Sequence, residues 1–118
     1  MTNKTIWTVP ADVLRVVDGD TLEVNLDLGW HITLKTKVRL AGVNCPEMNT
    51  EAGRAARDFV ADLIFNDRVI PRVMVHSHSL DKYGRVLGQV MIPSAPGGAY
   101  FDSLSKALLD HGHATVME

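Results

Sequence analysis

The chain has 118 residues, of which 46% are hydrophobic, and this favours one domain with a single core over two domains. Its formal net charge of −2 excludes the strong overall basic field of many non-specific nucleic-acid binders, so any positive patch must be local. The single cysteine, Cys45, excludes an internal disulfide.

Three strands are predicted first. Val13–Val17 is β-branched and apolar, and Asp18-Gly19-Asp20 follows it as a turn. Thr21–Leu28 and Ile32–Leu40 both alternate between apolar and polar residues, with a turn near Gly29-Trp30-His31 between them. Such strands with short turns form a meander. The face of the third strand opposite the core carries Lys35, Lys37 and Arg39.

A helix is predicted over Glu51–Ile64, with Thr50 as its N-cap. Its apolar stripe would consist of Ala52, Ala56, Phe59, Val60 and Leu63. Strands over Val69–Val75 and Val86–Ile92 follow, and a surface loop covers 93–98. A last helix is predicted over Phe101–Asp110, capped by Asp102 or Ser103 and stopped by Gly112.

The predicted order is β-β-β-α-β-β-α, which is the plan of a five-stranded OB-fold barrel with two or three helices. The fold class is therefore α+β, mainly β, and a plain α+β sandwich is the competing architecture. One domain is expected to cover residues 1–118. The two tryptophans, Trp7 and Trp30, are expected as core or edge anchors rather than as base-stacking platforms.

No segment has the length and apolar content of a signal peptide or a membrane span. The expected location is therefore cytoplasmic, or secreted if a signal has been removed. No membrane contact and no protein partner are predicted.

Charged residues concentrate at four places where the chain turns: Asp18-Gly19-Asp20-Thr21, Arg39, Asn44-Cys45-Pro46-Glu47 and Asp81-Lys82-Tyr83-Gly84-Arg85. Each of these four segments, taken alone, is more often an ordinary turn or solvated charge than part of a functional site. Together they hold the parts of a metal-assisted phosphodiesterase: oxygen ligands for a hard cation, arginines for a phosphate that gains charge, and a carboxylate for the attacking water.

These blocks, in this order and spacing, resemble the signature of the staphylococcal-nuclease-like (thermonuclease) family, and the resemblance runs from about residue 11 to residue 114. It implies an OB-fold and a Ca²⁺-dependent nuclease that acts on DNA and RNA and leaves 3′-phosphates.

Carried over by position, the resemblance implies Asp20, Asn44 and the Cys45 backbone carbonyl as metal ligands. Asp18 and Thr21 would lie next to these ligands without binding the metal directly. It implies Glu47 as the base or water-ordering group, and Arg39 and Arg85 as transition-state stabilisers. Lys82 and Tyr83 would contact substrate, and the basic strand face of Lys35 and Lys37 would add to the substrate-binding rim.

Asn44 departs from the family pattern, since an aspartate ligand is usual at this position. An asparagine can ligate through its amide oxygen but brings no charge, so weaker Ca²⁺ binding is expected. The alternative function is an OB-fold nucleic-acid-binding module with weak or no turnover. A third possible function is a protein-binding adaptor, but the only feature of the sequence that supports it is the slight excess of acidic residues.

Overall fold

The computed structural model of the chain describes residues 7–65, 71–93 and 101–116. Its elements are, in chain order, β1 (Trp7–Asp18), β2 (Thr21–Asp27), β3 (Thr33–Leu40), β4 (Val43–Asn44), α1 (Glu51–Phe65), β5 (Arg72–Leu80), β6 (Val86–Pro93), β7 (Phe101–Ser103), α2 (Leu104–Asp110) and β8 (Thr115–Val116). The predicted order is confirmed, and the short strands β4, β7 and β8 are added to it.

Five of the strands close into a barrel. β1 lies between β2 and β5, β2 also pairs with β3, and β5 also pairs with β6, all antiparallel. The barrel closes where β3 and β6 pair in parallel, with Val38 opposite Val86 and Leu40 opposite Gly88. The predicted mainly β, five-stranded OB-like barrel is confirmed, and the competing α+β sandwich is wrong.

The alternating pattern of β2 and β3 places their apolar side chains in the barrel, as predicted, but not along the whole of β3. Leu22 and Val24 are fully buried, as are Val38 and Leu40. Leu34, by contrast, is 51% exposed and Ile32 56%. The reason is the stagger of the closing pair: β6 covers β3 only from Val38 onward, so the first half of β3 projects beyond the barrel.

Helix α1 begins where predicted, because the Thr50 hydroxyl accepts a hydrogen bond from the Gly53 amide at 3.0 Å. Its buried face differs from the predicted stripe and consists of Gly53, Ala56, Val60 and Ile64. Ala52 is exposed and Leu63 is 38% exposed. The helix is rotated towards Gly53 because that position packs directly on the backbone of Glu47.

The second helix starts later than predicted. Residues 101–103 pair with β6 as β7, and the Ser103 hydroxyl then caps α2 by accepting from the Lys106 amide. Gly112 stops the helix with φ of +75°, and the His113 amide donates to the Leu108 carbonyl at 2.9 Å, as in a Schellman motif.

The first residues of the predicted fourth strand, 69 and 70, and residues 94–98 of the predicted loop lie outside the described residues.

Neither tryptophan lies in the core. Trp7 is 53% exposed at the start of β1, and Trp30 is 93% exposed. Gly29, Trp30 and His31 all have positive φ at the tip of the β2–β3 hairpin, where no other element covers the indole of Trp30. The expected anchoring role is therefore wrong for Trp30.

Within the described residues, no helix has the length and hydrophobicity needed to cross a membrane.

Candidate active site

The turn between β1 and β2 holds a buried carboxylate, Asp20, at 7% exposure. Its Oδ2 accepts a hydrogen bond from the Cys45 amide at 2.9 Å, and its Oδ1 accepts from the Thr21 hydroxyl at 3.2 Å. The Asp20 amide donates to Asp18 Oδ1 at 3.2 Å. The Asp20 carboxylate is thus oriented by the neighbouring Thr21 and by a loop 25 residues away, while Asp18 holds the Asp20 backbone.

Arg39, at the end of β3, joins this turn to the loop that follows β3. Its Nη1 donates to the carbonyls of Leu40 at 2.6 Å and Val43 at 2.9 Å. Its Nη2 lies 3.5 Å from Asp20 Oδ2 and 3.4 Å from Asn44 Oδ1. The side chain is only 12% exposed. The structure therefore brings Asp20, Arg39 and Asn44 together around one guanidinium group.

Two pKa shifts follow from this crowding. Burial raises the pKa of Asp18 to about 6, and the hydrogen bond and negative charge of Asp20 add to the effect. Burial, together with the charges of Asp20 and Asp18, raises the pKa of the Cys45 thiol to about 12. Since the thiolate is the reactive and metal-binding form, the Cys45 side chain is a packing group here.

The Glu47 side chain is exposed on the loop between β4 and α1. The loop is fixed through its backbone, because the Glu47 carbonyl accepts from the Thr50 hydroxyl at 2.6 Å and from the Thr50 amide at 3.0 Å. A Cβ on Gly53 would lie 1.9 Å from that carbonyl oxygen. Gly53 is thus required for the close approach of α1 to the loop.

Gly53 was missed by sequence reasoning, although a glycine in the first turn of a helix is itself a signal of close packing. A second glycine, Gly19, packs in the same way: a Cβ there would lie 2.7 Å from Cys45 Sγ. Strand β8 was also missed. It pairs Thr115 with Asn44 across 71 residues, and two residues carry too little pattern to be recognised as a strand.

Arg85 lies on the turn between β5 and β6, and its Nε donates to Asp81 Oδ2 at 2.7 Å. Although partial desolvation acts in the opposite direction, hydrogen bonds from the amides of Arg85 and Tyr83 and from the guanidinium lower the pKa of Asp81. The exposed Tyr83 ring has Lys82 Nζ at 5.1 Å and Arg85 Cζ at 5.3 Å. The structure thus groups Lys82, Tyr83 and Arg85 on one turn.

This turn adjoins β3 through the parallel β3–β6 pairing, in which Arg39 lies opposite Leu87, two residues from Arg85. The basic face of β3 is partly neutralised: Lys35 Nζ lies 3.6 Å from Glu23, which also pairs with Arg15 at 3.7 Å. Lys37 is exposed on the same face. The local positive patch is therefore small.

The oxygen atoms near Arg39 are of the kind that a hard divalent cation binds. Asp20 Oδ2 and Asn44 Oδ1 lie within 3.5 Å of one guanidinium nitrogen, so both oxygens are directed at Arg39 Nη2. In the described part of the chain, no group of three or more His, Cys, Asp or Glu side chains has a metal-binding arrangement. The oxygen donors at this point are thus a single carboxylate and neutral oxygens, which is a weak donor set for a hard cation.

A sequence model of the staphylococcal nuclease homologue family matches residues 37–118, which is more than half of the chain. The chain belongs to this family. The staphylococcal nuclease homologue match covers Arg39, the Asn44–Glu47 loop and the Asp81–Arg85 turn.

Curated relatives agree with this membership. The chain is 38% identical over 100 residues to a micrococcal nuclease of Shigella flexneri, covering 79% of this chain and 52% of that protein. It is 33% identical over 81 residues to protein ParB of Escherichia coli, covering 69% of this chain and 41% of that protein. An uncharacterized endonuclease of Escherichia coli is 35% identical over 81 residues, covering 69% of this chain and 47% of that protein. The chain spans about half the length of these relatives.

Proposed function

We propose that this member of the staphylococcal nuclease homologue family is a Ca²⁺-dependent nuclease that hydrolyses phosphodiester bonds of DNA or RNA. The observation that carries the proposal is the convergence of Asp20, Arg39 and Asn44 at the end of β3. A buried carboxylate, a guanidinium and an amide oxygen at one point suit a cation and a phosphate together.

The chain's own residues would act on the phosphate and on water. Arg39 is held by two backbone carbonyls, so its position is fixed before substrate arrives. Arg85 would add a second positive charge once the substrate draws it from Asp81, and such charges stabilise a phosphate that gains negative charge in the transition state. Glu47, exposed on a rigid loop, would take the proton of the attacking water while the bond from phosphorus to the leaving oxygen breaks.

The residues that would hold Ca²⁺ are Asp20, Asn44 and the backbone carbonyl of Cys45. When bound, the cation would supply positive charge to the phosphate. Asp18 and Thr21 would keep Asp20 in its present orientation through the hydrogen bonds described above.

The decisive experiment measures cleavage of single- and double-stranded DNA and RNA during a Ca²⁺ titration, and after addition of EDTA. Cleavage that EDTA abolishes, and that Glu47→Gln lowers by about 10²-fold or more, supports the proposal. Products with 3′-phosphates are expected. Cleavage that persists undiminished in EDTA would contradict the metal requirement, and full activity of Glu47→Gln would contradict the role of that carboxylate.

Asn44 favours one second candidate, a nucleic-acid-binding module of the same fold with little or no turnover. With Asn44 in place of a carboxylate, Asp20 alone supplies direct negative charge to the cation. Oligonucleotide binding without cleavage at millimolar Ca²⁺ would support this candidate. Neither binding nor cleavage would contradict both functions.

A further inference from the structure

The turn that follows β3 is held by a side chain of β6, Gln89. Its Nε2 donates a hydrogen bond to the Ala41 carbonyl at 3.0 Å, and the Ala41 amide donates to the Gly88 carbonyl at 2.8 Å. The strand pairing of β3 with β6 ends at Leu40 and Gly88, so these two bonds continue the contact by one residue. Ala41 is only 5% exposed, and its carbonyl therefore needs a partner within the protein.

Helix α2 sets the orientation of the Gln89 amide. The Ser105 hydroxyl, in the first turn of that helix, donates to Gln89 Oε1 at 2.8 Å, and Ser105 is 7% exposed. A carbonyl can only accept, so Nε2 must face Ala41, and Oε1 is then left as the acceptor for the hydroxyl. The two bonds thus fix one of the two orientations of the amide and connect α2 to the turn after β3.

This turn also holds the arginine of the candidate active site. It covers residues 40–43, and Gly42 has φ of +79°, as the third residue of a type II turn requires. Type I and type II turns differ in the orientation of the central peptide, which here carries the Ala41 carbonyl. Arg39 Nη1 donates to the carbonyls of the first and last residues of the turn. The bond from Gln89 to the central peptide therefore supports both carbonyls that hold the guanidinium.

From these contacts we propose that Gln89 and Ser105 are positioning residues, which act on cleavage through Arg39 and do not touch the substrate. Arg39 must meet Asp20 and the phosphate at one point, and a displacement of about 1 Å at such a point can cost about 10²-fold in rate. The effect on cleavage rests on the proposed nuclease function, whereas the hold on Arg39 can be measured without any cleavage.

The first measurement follows Arg39 itself, by NMR of the isotope-labelled protein in slightly acidic buffer, without Ca²⁺ or nucleic acid. The guanidinium proton signals of Arg39 are assigned from their loss in Arg39→Lys. Gln89→Met keeps the length of the side chain but removes its donor, and Ser105→Ala removes the hydroxyl. Both substitutions are expected to speed solvent exchange of the Arg39 guanidinium protons by about tenfold, the effect of weakening one supporting hydrogen bond.

Ser103→Ala is the matched control. It removes a serine hydroxyl two residues before Ser105 and weakens α2 by loss of its cap, but it leaves the bonds of Gln89 in place. Its Arg39 exchange should stay within about twofold of the parent, even if its Tm falls as far as that of Ser105→Ala. Circular dichroism shows that each variant is folded at the temperature of the measurement. Exchange in Gln89→Met that equals exchange in the parent or in Ser103→Ala would overturn the proposal.

The second measurement is the kinetics of oligonucleotide cleavage at saturating Ca²⁺. Gln89→Met and Ser105→Ala should lower kcat by about tenfold or more and leave KM within about twofold, because Arg39 acts on charge that develops in the transition state. In the Arg39→Lys background, Gln89→Met should cost no more than about a further twofold, since it acts through the guanidinium that is already absent. An equal loss in both backgrounds would assign Gln89 to general stability and contradict the proposal.

Failure of the positioning role and failure of the nuclease function give different results. If the parent cleaves nothing, exchange of the Arg39 protons still decides whether Gln89 and Ser105 hold the guanidinium. Conversely, an active nuclease whose Arg39 exchange and kcat are unchanged by both substitutions contradicts the positioning role alone.

Discussion

At the scale of single residues, the main unusual feature of the candidate site is that Asn44 carries no charge. Its amide oxygen lies 3.4 Å from Arg39 Nη2, in the same space as the Asp20 carboxylate. A carboxylate there would add negative charge beside the guanidinium and beside any bound cation. Hard-cation affinity follows the charge and rigidity of the ligands, and the rigidity is already provided by the β4–β8 pair.

We therefore expect Asn44→Asp to lower the Ca²⁺ concentration needed for half-maximal cleavage, by roughly tenfold if the added charge contributes about 1.4 kcal/mol. The measurement is a Ca²⁺ titration of cleavage rate for both proteins. Asn49→Asp is the matched control, since Asn49 is an exposed residue of the following loop, and it should leave the titration nearly unchanged. An unchanged or raised Ca²⁺ requirement in Asn44→Asp would contradict the expectation.

At the scale of elements, α1 positions the Glu47 loop through a backbone contact that only glycine allows. A methyl group on Gly53 would overlap the Glu47 carbonyl oxygen, so either the helix or the loop must move. Glycine in a helix interior usually costs up to about 1 kcal/mol relative to alanine. The close contact therefore reverses the usual sign of a glycine-to-alanine change.

Gly53→Ala is expected to destabilise the protein by about 1–3 kcal/mol, as overpacked substitutions do. It should also lower the cleavage rate of the folded fraction, because the Glu47 loop is displaced. Urea unfolding and cleavage at a temperature where both proteins are folded give the two values. Ala52→Gly, at an exposed position of the same turn, should cost no more than about 1 kcal/mol and keep its activity. A more stable Gly53→Ala would show that the contact relaxes easily.

Ion pairs at the surface connect a second set of elements, the strands β1, β2 and β5. Arg72 on β5 lies 3.1 Å from Asp12 on β1 and 3.1 Å from Asp27 on β2. The Gly29 amide, and then the Arg72 guanidinium, lower the pKa of Asp27 below its usual value of 3.8. Because the folded pKa is the lower one, this pair stabilises the fold above about pH 4. The stabilisation is lost as the pH falls through the folded pKa.

Arg72→Gln should therefore lower Tm slightly at pH 7, and its difference from the parent should shrink below pH 4 and in high salt. Thermal unfolding at several pH values and two salt concentrations checks this. Arg57→Gln, which removes a pair between exposed neighbours on α1, should change Tm less. A Tm difference that is the same at pH 3 and pH 7 would assign the role of Arg72 to packing rather than charge.

At the scale of the whole molecule, the net charge of −2 limits how the chain binds a polyanion. The local basic groups are few, and three of them already have acidic partners: Lys35 pairs with Glu23, Arg39 with Asp20 and Arg85 with Asp81. Binding to duplex DNA should then involve few phosphates.

Each neutralised phosphate adds about −0.9 to the slope of log K against log salt on duplex DNA, so a shallow slope is expected. The slope is measured with Glu47→Gln, so that the substrate is not consumed during titration. If Lys37 contacts a phosphate, Lys37→Gln should make the slope shallower by about one unit. A slope near −9, as for about ten contacts, would contradict the small basic patch.

Much of the fold could be predicted from local pattern. Alternation located β2 and β3, Thr50 marked the start of α1, and Gly112 marked the end of α2. The pattern failed where a contact distant in sequence decides the outcome. The rotation of α1 depends on Gly53 meeting Glu47, and residues 101–103 become strand β7 because β3 pairs with β6 only as far as Gly88 and leaves the rest of that edge free. The exposed half of β3 reflects the stagger of barrel closure.

The sequence by itself determined which chemical groups are available: a carboxylate on the Asp18–Asp20 turn, two arginines, a glutamate and an asparagine. Their order and spacing also determined the family. Only the tertiary structure decided that Asp20, Arg39 and Asn44 meet while Arg85 rests on Asp81, and that the barrel keeps an open apolar end. The physical reason is that side-chain identity is local, whereas the meeting of Asp20 and Arg39 depends on the β2–β3 register, which places Thr21 opposite Arg39, and the open end depends on the stagger of β3 and β6.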